Sequence, residues 1–367
     1  MKKVLFVSPY MGRTGSEQAV LQVINNCKEI FPALYSGDKG SLLSEVKKNI
    51  PVYINPLKDI TKNRIQRINK RLGLKTPLDI FLTKIINDLR PDLILLNTFG
   101  NHEVLDFIKK TKLPFAVWSH ELQSSFDGIF SSDLDYIFQK SRFIIGCSEP
   151  VCKLISDAGY KKNVHLFHET IDIEKIINFS SDNTAYVDIR KPYDQVFIMS
   201  GKIGYRKGIH FIPGIAEKLK ESNSALLWLG SSNEYGLEKL IVEQLKHLKL
   251  TNVIFAGEQT SDYFKWFNLG DYFILTSLED AYPLVMIEAA YLQKPIISFD
   301  SGGVKEFVKN GMGRIVPLIN TEELYNAIDG IISGEIKTDK ALLKKEAERH
   351  DIKTQISTFE NIIIGEL

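Results

Sequence analysis

Short apolar runs recur along the first half of the chain, separated by longer segments with helical periodicity. The runs lie at residues 4–7, 93–96, 115–118 and 143–146. Runs of this length without polar alternation are typical of strands buried on both faces of a parallel sheet. After the first run, residues 19–27 carry apolar side chains on one helical face, and Thr14 with Glu17 matches a capping box. The pattern therefore predicts strand, glycine loop and helix.

The same alternation restarts in the second half of the chain. Its apolar runs lie at residues 196–199, 226–229, 253–255, 273–275 and 296–297. Between the two series, residues 179–194 lose periodicity and gain Ser, Asp, Asn and Pro, as an interdomain connection would. We therefore predict an α/β protein with two doubly wound, Rossmann-like domains, at residues 1–175 and 190–345.

The C-terminal segment, residues 346–367, is predicted to be a helix with one apolar face. Ile352, Ile356, Phe359 and Ile363 recur at helical spacing, so this face must pack against another part of the protein.

Length, charge and cysteine content indicate the number of domains and argue against several classes of protein. The 367 residues fit two domains at ~150 residues each, and 46 basic against 45 acidic residues argue against a nucleic-acid partner. Three cysteines are too few to staple a chain of this length, which favours a reducing compartment. Because we find neither a ~20-residue apolar span nor a signal peptide, we expect a cytoplasmic protein.

Two glycine loops could bind phosphate, but neither matches a dinucleotide or Walker fingerprint. The first loop covers residues 12–15 and the second residues 200–208. The second follows a predicted strand and presents the cations Lys202, Arg206 and Lys207 beside glycines, which suits a diphosphate. A solvated basic loop is the alternative at this point. A dehydrogenase or a P-loop nucleotide-binding protein is disfavoured.

Two carboxylates flank the start of a predicted helix in the segment 276–290. Asp280 lies in the turn after a strand, and Glu288 lies about one and a half turns into the helix. The main-chain amides of Leu284 and Val285 lie between them, at the helix end that favours phosphate. One element could then hold a sugar, a diphosphate and a ribose. The alternative is that Asp280 is only an N-cap and Glu288 a surface residue.

This segment resembles the signature of the family 4 retaining glycosyltransferases of GT-B fold, in which two Glu are separated by seven residues. Here Asp280 and Glu288 have that spacing, so the first acid is one methylene shorter. The resemblance covers nearly the whole chain. Further matching pieces lie at residues 15–17, 118–122, 147–149, 170–172, 206–208, 228–230, 255–257, 294–297 and 301–306.

The resemblance implies a role for each candidate residue. Lys207 would bind the donor diphosphate, and Lys202 occupies the place of the partnering family Arg, with Arg206 as an alternative contact. Glu288 would hold the nucleotide ribose and Asp280 hydroxyls of the transferred sugar. Gly302 and Gly303 would pass close to the ligand, Gly15 would open the N-terminal side of the site, and His120 would position the sugar.

The resemblance also implies an activity. We expect a metal-independent enzyme without a cofactor that moves a sugar from a nucleotide-sugar donor to a glycan or lipid-linked acceptor with retention, in cell-surface polysaccharide biosynthesis. The domain at 190–345 would bind the donor, and the terminal helix would cross back to the domain at 1–175. A nucleotide-sugar epimerase of the same architecture and a non-catalytic GT-B binding protein are the alternatives.

Two motifs favour structural interpretations. Asp133-Leu134-Asp135 matches the Asp-x-Asp of metal-dependent glycosyltransferases, but the sequence around it better predicts a helix start. His165 and His168 lie on a predicted strand and would face opposite sides, so we expect no zinc site there.

Residues 58–75 are strongly basic, with Ile65, Ile68 and Leu72 at helical spacing. This segment could contact anionic lipid on the inner face of the membrane. A solvated helix that packs the three apolar residues inward is the alternative.

Overall fold

A computed structural model describes residues 1–56, 67–69, 71–180, 186–232 and 234–367. The chain divides into two units. The first comprises Met1–His168 with Ile352–Leu367, and the second comprises Glu169–Asp351. The division thus follows His168, ahead of the 175–190 interval in which the sequence analysis places it.

The first unit is built on a seven-stranded parallel sheet with the strand order β3-β2-β1-β4-β5-β6-β7. Its strands are β1 (Lys2–Ser8), β2 (Ile30–Ser36), β3 (Val52–Ile54), β4 (Leu93–Asn97), β5 (Phe115–Ser119), β6 (Ile144–Gly146) and β7 (Val164–Leu166). The four apolar runs form β1, β4, β5 and β6 at the centre of this sheet, which confirms them as buried strands. Strands β2 and β3 were not predicted.

Helices connect the strands of the first unit. They are α1 (Gly15–Asn26), α2 (Pro77–Leu89), α3 (His102–Thr111), α4 (Gln123–Phe126), α5 (Ser131–Lys140) and α6 (Glu149–Asp157). The predicted stripe on α1 is buried from Ala19 to Ile24. The predicted capping box is wrong, because Thr14 occupies the N-cap position but its side chain makes no capping hydrogen bond.

The second unit contains a six-stranded parallel sheet with the order β10-β9-β8-β11-β12-β13. Its strands are β8 (Gln195–Ser200), β9 (Ser224–Leu229), β10 (Val253–Gly257), β11 (Tyr272–Leu275), β12 (Ile296–Phe299) and β13 (Gly313–Val316). All five predicted runs are strands. The order reverses between β8 and β11, and in open α/β sheets ligands bind outside the carboxyl ends of strands at such a switch point.

The helices of the second unit cover both faces of its sheet. They are α7 (Ile173–Ser180), α8 (Val187–Arg190), α9 (Ile212–Lys220), α10 (Tyr235–His247), α11 (Tyr263–Asn268), α12 (Leu284–Tyr291), α13 (Val304–Phe307), α14 (Thr321–Ile332) and α15 (Lys340–Glu348). Two parallel sheets with interleaved helices confirm the predicted α/β class with two Rossmann-like domains.

The last helix, α16 (Ile352–Gly365), belongs to the first unit. Its four predicted apolar residues are all fully buried in the core of that unit, and Phe359 packs against Trp118 and Phe167, each with a ring-centroid distance of 5.0 Å. Glu360, on the same helix, is buried and accepts three main-chain hydrogen bonds at the start of β2. Both apolar burial and one carboxylate therefore fix α16 in place.

None of the helices in the described part of the chain is long and apolar enough to span a bilayer. The predicted basic segment, residues 58–75, falls largely on residues 57–66 and 70, which lie outside the described ranges. Ile68 and Leu72 are described and are 57% and 66% exposed, so these two residues do not pack inward.

Candidate functional site

The site begins at the carboxyl end of β8, where the chain turns into the cationic loop, defined here as residues 201–208. Gly201 adopts a positive φ of 131°, and its carbonyl oxygen accepts a hydrogen bond of 3.0 Å from the Trp228 indole. Gly208 also has a positive φ, and a Cβ there would lie 2.4 Å from the Thr276 carbonyl oxygen. Glycine at 208 therefore lets this loop approach the segment after β11 closely.

That segment, residues 276–283, is the acidic loop, and side chains join it to the cationic loop. The Lys207 ammonium forms an ion pair with Asp280 Oδ2, which also accepts a 3.0 Å hydrogen bond from the Ser277 hydroxyl. Arg206 donates to the Glu279 carbonyl oxygen at 2.9 Å. The predicted cation Lys207 and the predicted carboxylate Asp280 are thus in direct contact.

Main-chain hydrogen bonds hold the same two loops in register. The Leu278 amide donates to the Arg206 carbonyl at 2.8 Å, and the Thr276 hydroxyl donates to the Lys207 carbonyl at 2.9 Å. Lys207 and Asp280 are therefore positioned by backbone contacts as well as by their own attraction.

The glycines after β12 support the acidic loop. The Asp280 amide donates to the Ser301 carbonyl at 2.8 Å, and the Gly303 amide donates to the Ala281 carbonyl at 3.1 Å. A Cβ on Gly303 would lie 2.2 Å from that Ala281 oxygen, and Gly302 has a φ of 140°. These glycines bring the chain close to the acidic loop itself, a neighbour that the sequence analysis did not foresee.

Helix α12 follows the acidic loop and begins at Leu284, because Pro283 is extended and occupies the N-cap position. The amides of Leu284 and Val285 lie in its first turn, where the helix supplies no acceptor for them. The start of this helix can therefore donate hydrogen bonds to an anion.

Glu288, in the second turn of α12, connects to the end of β8 through Tyr263. The Tyr263 hydroxyl donates to Glu288 Oε2 at 2.9 Å and lies 2.8 Å from the Ser200 hydroxyl. Burial raises the pKa of Glu288 to about 7, against the lowering effects of the Tyr263 hydrogen bond and of the nearby positive charge of Lys175. This carboxyl group can therefore change its protonation state near neutral pH.

The second unit thus gathers most of the candidate residues around the end of β8. Lys207, Arg206, Asp280, Gly302 and Gly303 contact one another or each other's loops. Lys202, in contrast, is exposed, and its assignment from sequence receives no further support from the contacts around it.

In the first unit, His120 and the start of α1 meet through Asn97. His120 Nε2 lies 2.9 Å from Asn97 Oδ1, and Asn97 Nδ2 donates to the Ser16 carbonyl at 3.2 Å, one residue after Gly15. Because Asn97 Nδ2 is a donor here, its Oδ1 is the acceptor, which places a proton on His120 Nε2. Asn97 therefore fixes the orientation of the imidazole.

Glu121 holds the loop on which His120 lies. Its carboxylate accepts hydrogen bonds from the Ser119 hydroxyl at 2.8 Å, the His120 amide at 3.0 Å and the Phe99 amide at 2.8 Å. The His120 ring also packs on Trp118, with centroids 4.9 Å apart. Gly15 and His120, the two first-unit candidates, thus follow the carboxyl ends of β1 and β5, and Asn97, at the end of the intervening strand β4, connects them.

Ser200, Tyr263 and Asn97 are among the residues of these contacts that were not assigned a role from sequence. Ser200 and Asn97 are the last residues of β8 and β4, so a polar residue at a strand end was the available signal. Tyr263 has no such signal, because only the three-dimensional structure brings α11 beside α12.

Of the two remaining motifs, the structure confirms the helix start at Asp133 but not the strand at His168. Asp133 lies in the first turn of α5 and pairs with His102 and Lys109, so it serves to connect helices of the first unit. His165 lies on β7 and contacts Glu366 at 2.7 Å, whereas His168 lies beyond the end of that strand, which is shorter than predicted.

Comparisons with known proteins agree with this architecture. Residues 194–333 match the family described as Glycosyl transferases group 1. A search of curated proteins found no match.

Among solved structures, HepE from Anabaena in complex with UDP and glucose has a TM-score of 0.83 at 18% identity, with 100% of both chains covered. Sucrose-phosphate synthase from Thermosynechococcus elongatus has a TM-score of 0.78 at 14% identity, again with 100% of both chains covered. The lipopolysaccharide outer core galactosyltransferase WaaB, in its apo form, has a TM-score of 0.72 at 16% identity, with the same coverage. These likenesses confirm the predicted GT-B fold class, and the domain match at 194–333 confirms the predicted enzyme class: the chain is a glycosyltransferase.

Proposed function

We propose that this glycosyltransferase takes its sugar from a nucleotide-sugar donor bound by the second unit. The observation that supports it most is the meeting of Lys207 with Asp280 beside the first turn of α12. A cation, a carboxylate and helix amides that have no acceptor within the helix lie within a few residues and match the diphosphate and the polyol of such a donor. The structure of HepE in complex with UDP and glucose agrees with this ligand class.

In this proposal, each group has a separate task. Lys207 and Arg206 neutralise the diphosphate together with the amides of Leu284 and Val285. Asp280 accepts hydrogen bonds from hydroxyls of the transferred sugar. Glu288, one turn further along α12, accepts hydrogen bonds from the ribose.

We propose retention of the anomeric configuration. The bond between the anomeric carbon and the diphosphate oxygen breaks, and the acceptor oxygen bonds to that carbon on the same face. The acceptor proton passes to an oxygen of the departing diphosphate, whose charge the cationic loop stabilises. Nuclear magnetic resonance of the product would show a retained anomeric centre, and an inverted one would refute this step.

Metal independence is part of the proposal, because Lys207, Arg206 and the helix amides supply the positive charge that a divalent ion would otherwise provide. Activity that survives exhaustive chelation would support this division of labour. Activity restored only by added Mg²⁺ or Mn²⁺ would refute it.

We further propose that the first unit binds the acceptor, with His120 positioning the sugar rather than abstracting a proton. The acceptor would be a glycan or a lipid-linked glycan of cell-surface polysaccharide biosynthesis, on the cytoplasmic side of the membrane. The exposed Ile68 and Leu72 are compatible with contact between this unit and anionic lipid. Vesicle flotation with wild-type protein and with a charge-reversed Arg71→Glu variant would test that contact.

Thermal stabilisation by UDP-, GDP- and ADP-sugars tests the proposal as a whole, because a ligand that binds the native state raises its apparent stability. Incubation of the stabilising sugar nucleotide without acceptor separates the epimerase alternative, which would yield an epimerised donor. Failure to bind any nucleoside diphosphate would support the non-catalytic alternative.

A further inference from the structure

Glu288 is held by a directed chain of hydroxyl groups that ends at the carboxyl end of β8. A phenol has one proton, and Tyr263 donates it to Glu288 Oε2 at 2.9 Å. The Ser200 hydroxyl, 2.8 Å from the Tyr263 oxygen, must therefore be the donor in that second contact. The chain runs from Ser200 through Tyr263 to Glu288.

The ring of Tyr263 is itself fixed. It lies edge-on to Phe264 with centroids 4.9 Å apart, and its centroid lies 5.7 Å from that of Phe267, which is fully buried. Because α11 presents Tyr263 from a packed aromatic cluster, the hydroxyl has little freedom to leave Glu288.

This arrangement uses only one of the two carboxylate oxygens. With Oε2 occupied by Tyr263, the plane of the carboxylate is set and Oε1 can accept from a second donor. Lys175 on α7 supplies the positive charge that acts on Glu288, so the hydroxyl chain and this cation are what stabilise its ionised form.

We propose that Tyr263, oriented by Ser200, is a positioning residue that holds the Glu288 carboxylate for the hydroxyl groups of a nucleotide ribose. This inference rests on the proposed function, since it requires that Glu288 meets the ribose. Tyr263 acts through Glu288 and does not touch the ligand.

The test compares binding of UDP with that of 2′,3′-dideoxy-UDP, which lacks the ribose hydroxyls. Calorimetry is run on wild type and on Tyr263→Phe, Ser200→Ala, Glu288→Gln and the control Tyr193→Phe. The control removes a hydroxyl of the same unit that donates to the Thr251 carbonyl at 3.2 Å. We expect Tyr263→Phe to lower the affinity for UDP about three- to tenfold. Its affinity for dideoxy-UDP should stay within about twofold of the wild-type value. Ser200→Ala should give a smaller loss of the same kind, and Tyr193→Phe no change.

A second measurement reads the contact without any ligand. Carbon-13 NMR of labelled glutamate carboxyl groups, with the signal assigned by Glu288→Gln, should show a higher pKa for Glu288 in Tyr263→Phe than in wild type. The loss of a hydrogen bond to the charged form explains this direction.

The outcomes separate the two claims. In one outcome, Glu288→Gln lowers the affinity for UDP but not that for dideoxy-UDP, whereas Tyr263→Phe changes the two affinities equally and leaves the pKa of Glu288 unchanged. The positioning inference is then wrong and the proposed function stands. If Glu288→Gln does not distinguish UDP from dideoxy-UDP, or if wild type binds neither UDP, GDP nor ADP, the ribose role of Glu288 fails and the inference falls with it.

Discussion

The Lys207 ammonium forms an ion pair with the Asp280 carboxylate, so the group proposed to bind the diphosphate has an anionic partner within the protein. Side-chain exposures of 18% for Lys207 and 12% for Asp280 show that both are largely withdrawn from water. A bound donor must therefore compete with Asp280 for this cation. This competition makes the two residues respond differently to substitution.

Asp280→Asn is predicted to raise affinity for UDP while it lowers turnover. The amide keeps the shape of Asp280 but releases Lys207, which should tighten UDP about two- to fivefold if the pair contributes about 0.5–1 kcal/mol. Transfer should fall about tenfold or more, since the charged contact to the sugar is lost. Calorimetry and a transfer assay measure the two effects. Asp329→Asn, which removes another Asp–Lys pair of the second unit, serves as control. A parallel loss of UDP affinity and turnover would contradict the prediction.

Folding stability is predicted to depend on pH through Glu288. Its pKa of about 7 in the folded chain exceeds the ordinary value of a glutamate, so the folded state binds the proton more tightly than the unfolded state. The stabilisation from protonation is fully present below the unfolded pKa of ~4.3 and is lost as the pH rises through about 7.

Glu288→Gln removes this dependence, because its amide carries no titrating charge. At pH 8 the variant should be more stable than wild type by on the order of 3 kcal/mol, and the difference should shrink towards pH 5. Urea unfolding at the two pH values measures it. An equal difference in stability at pH 8 and pH 5 would show that the carboxyl group does not titrate in this range.

Between pH 8 and pH 5, the affinity of the wild-type protein for UDP should also fall as the pH drops below 7.

Glu360 is predicted to be a main anchor of α16. Its Oε1 accepts from the amides of Lys28, Glu29 and Ile30 at 2.7, 2.7 and 3.0 Å, and its side chain is buried. Glu360→Ala would leave three amides without an acceptor and should cost about 2–4 kcal/mol in the free energy of unfolding. Asn361→Ala, at an exposed position of the same helix, should change it by about 0.5 kcal/mol or less. Equal effects would show that apolar packing alone holds the helix.

Asn97 and His120 are predicted to act as a unit. Asn97→Ala removes the acceptor that sets the His120 proton on Nε2, so it should lower turnover about tenfold, close to the loss from His120→Ala. The double variant should be no worse than His120→Ala alone, which a double-mutant cycle on kcat would show. Additive losses would mean that the two side chains act independently.

The central strands were predictable because a strand that is covered on both faces must be apolar throughout, as in β1, β4 and β8. Strands β2, β3 and β13 were not predicted. β2 contains Pro32, and β3 and β13 are short and only partly buried, so neither propensity nor continuous hydrophobicity identifies them.

The candidate site shows the same division. Lys207, Asp280 and Glu288 stand at strand ends or helix starts, where a local pattern locates them, and the resemblance gave each a role. Tyr263 could not be predicted, because its importance depends on the distance from α11 to Glu288 and not on any neighbour in sequence. The capping box failed for a related reason, since the matching residue types at Thr14 and Glu17 do not guarantee the side-chain geometry.

The most direct test of the account is nucleotide binding by Lys207→Ala. We compare wild type, Lys207→Ala and Lys246→Ala, an exposed lysine of the same unit that pairs with Glu243, by calorimetry with UDP, GDP and ADP. Loss of a charge-assisted contact to the diphosphate should weaken the preferred nucleotide about 10- to 100-fold in Lys207→Ala and leave Lys246→Ala like wild type. Unchanged affinity in Lys207→Ala would contradict the proposal that the cationic and acidic loops form the donor site.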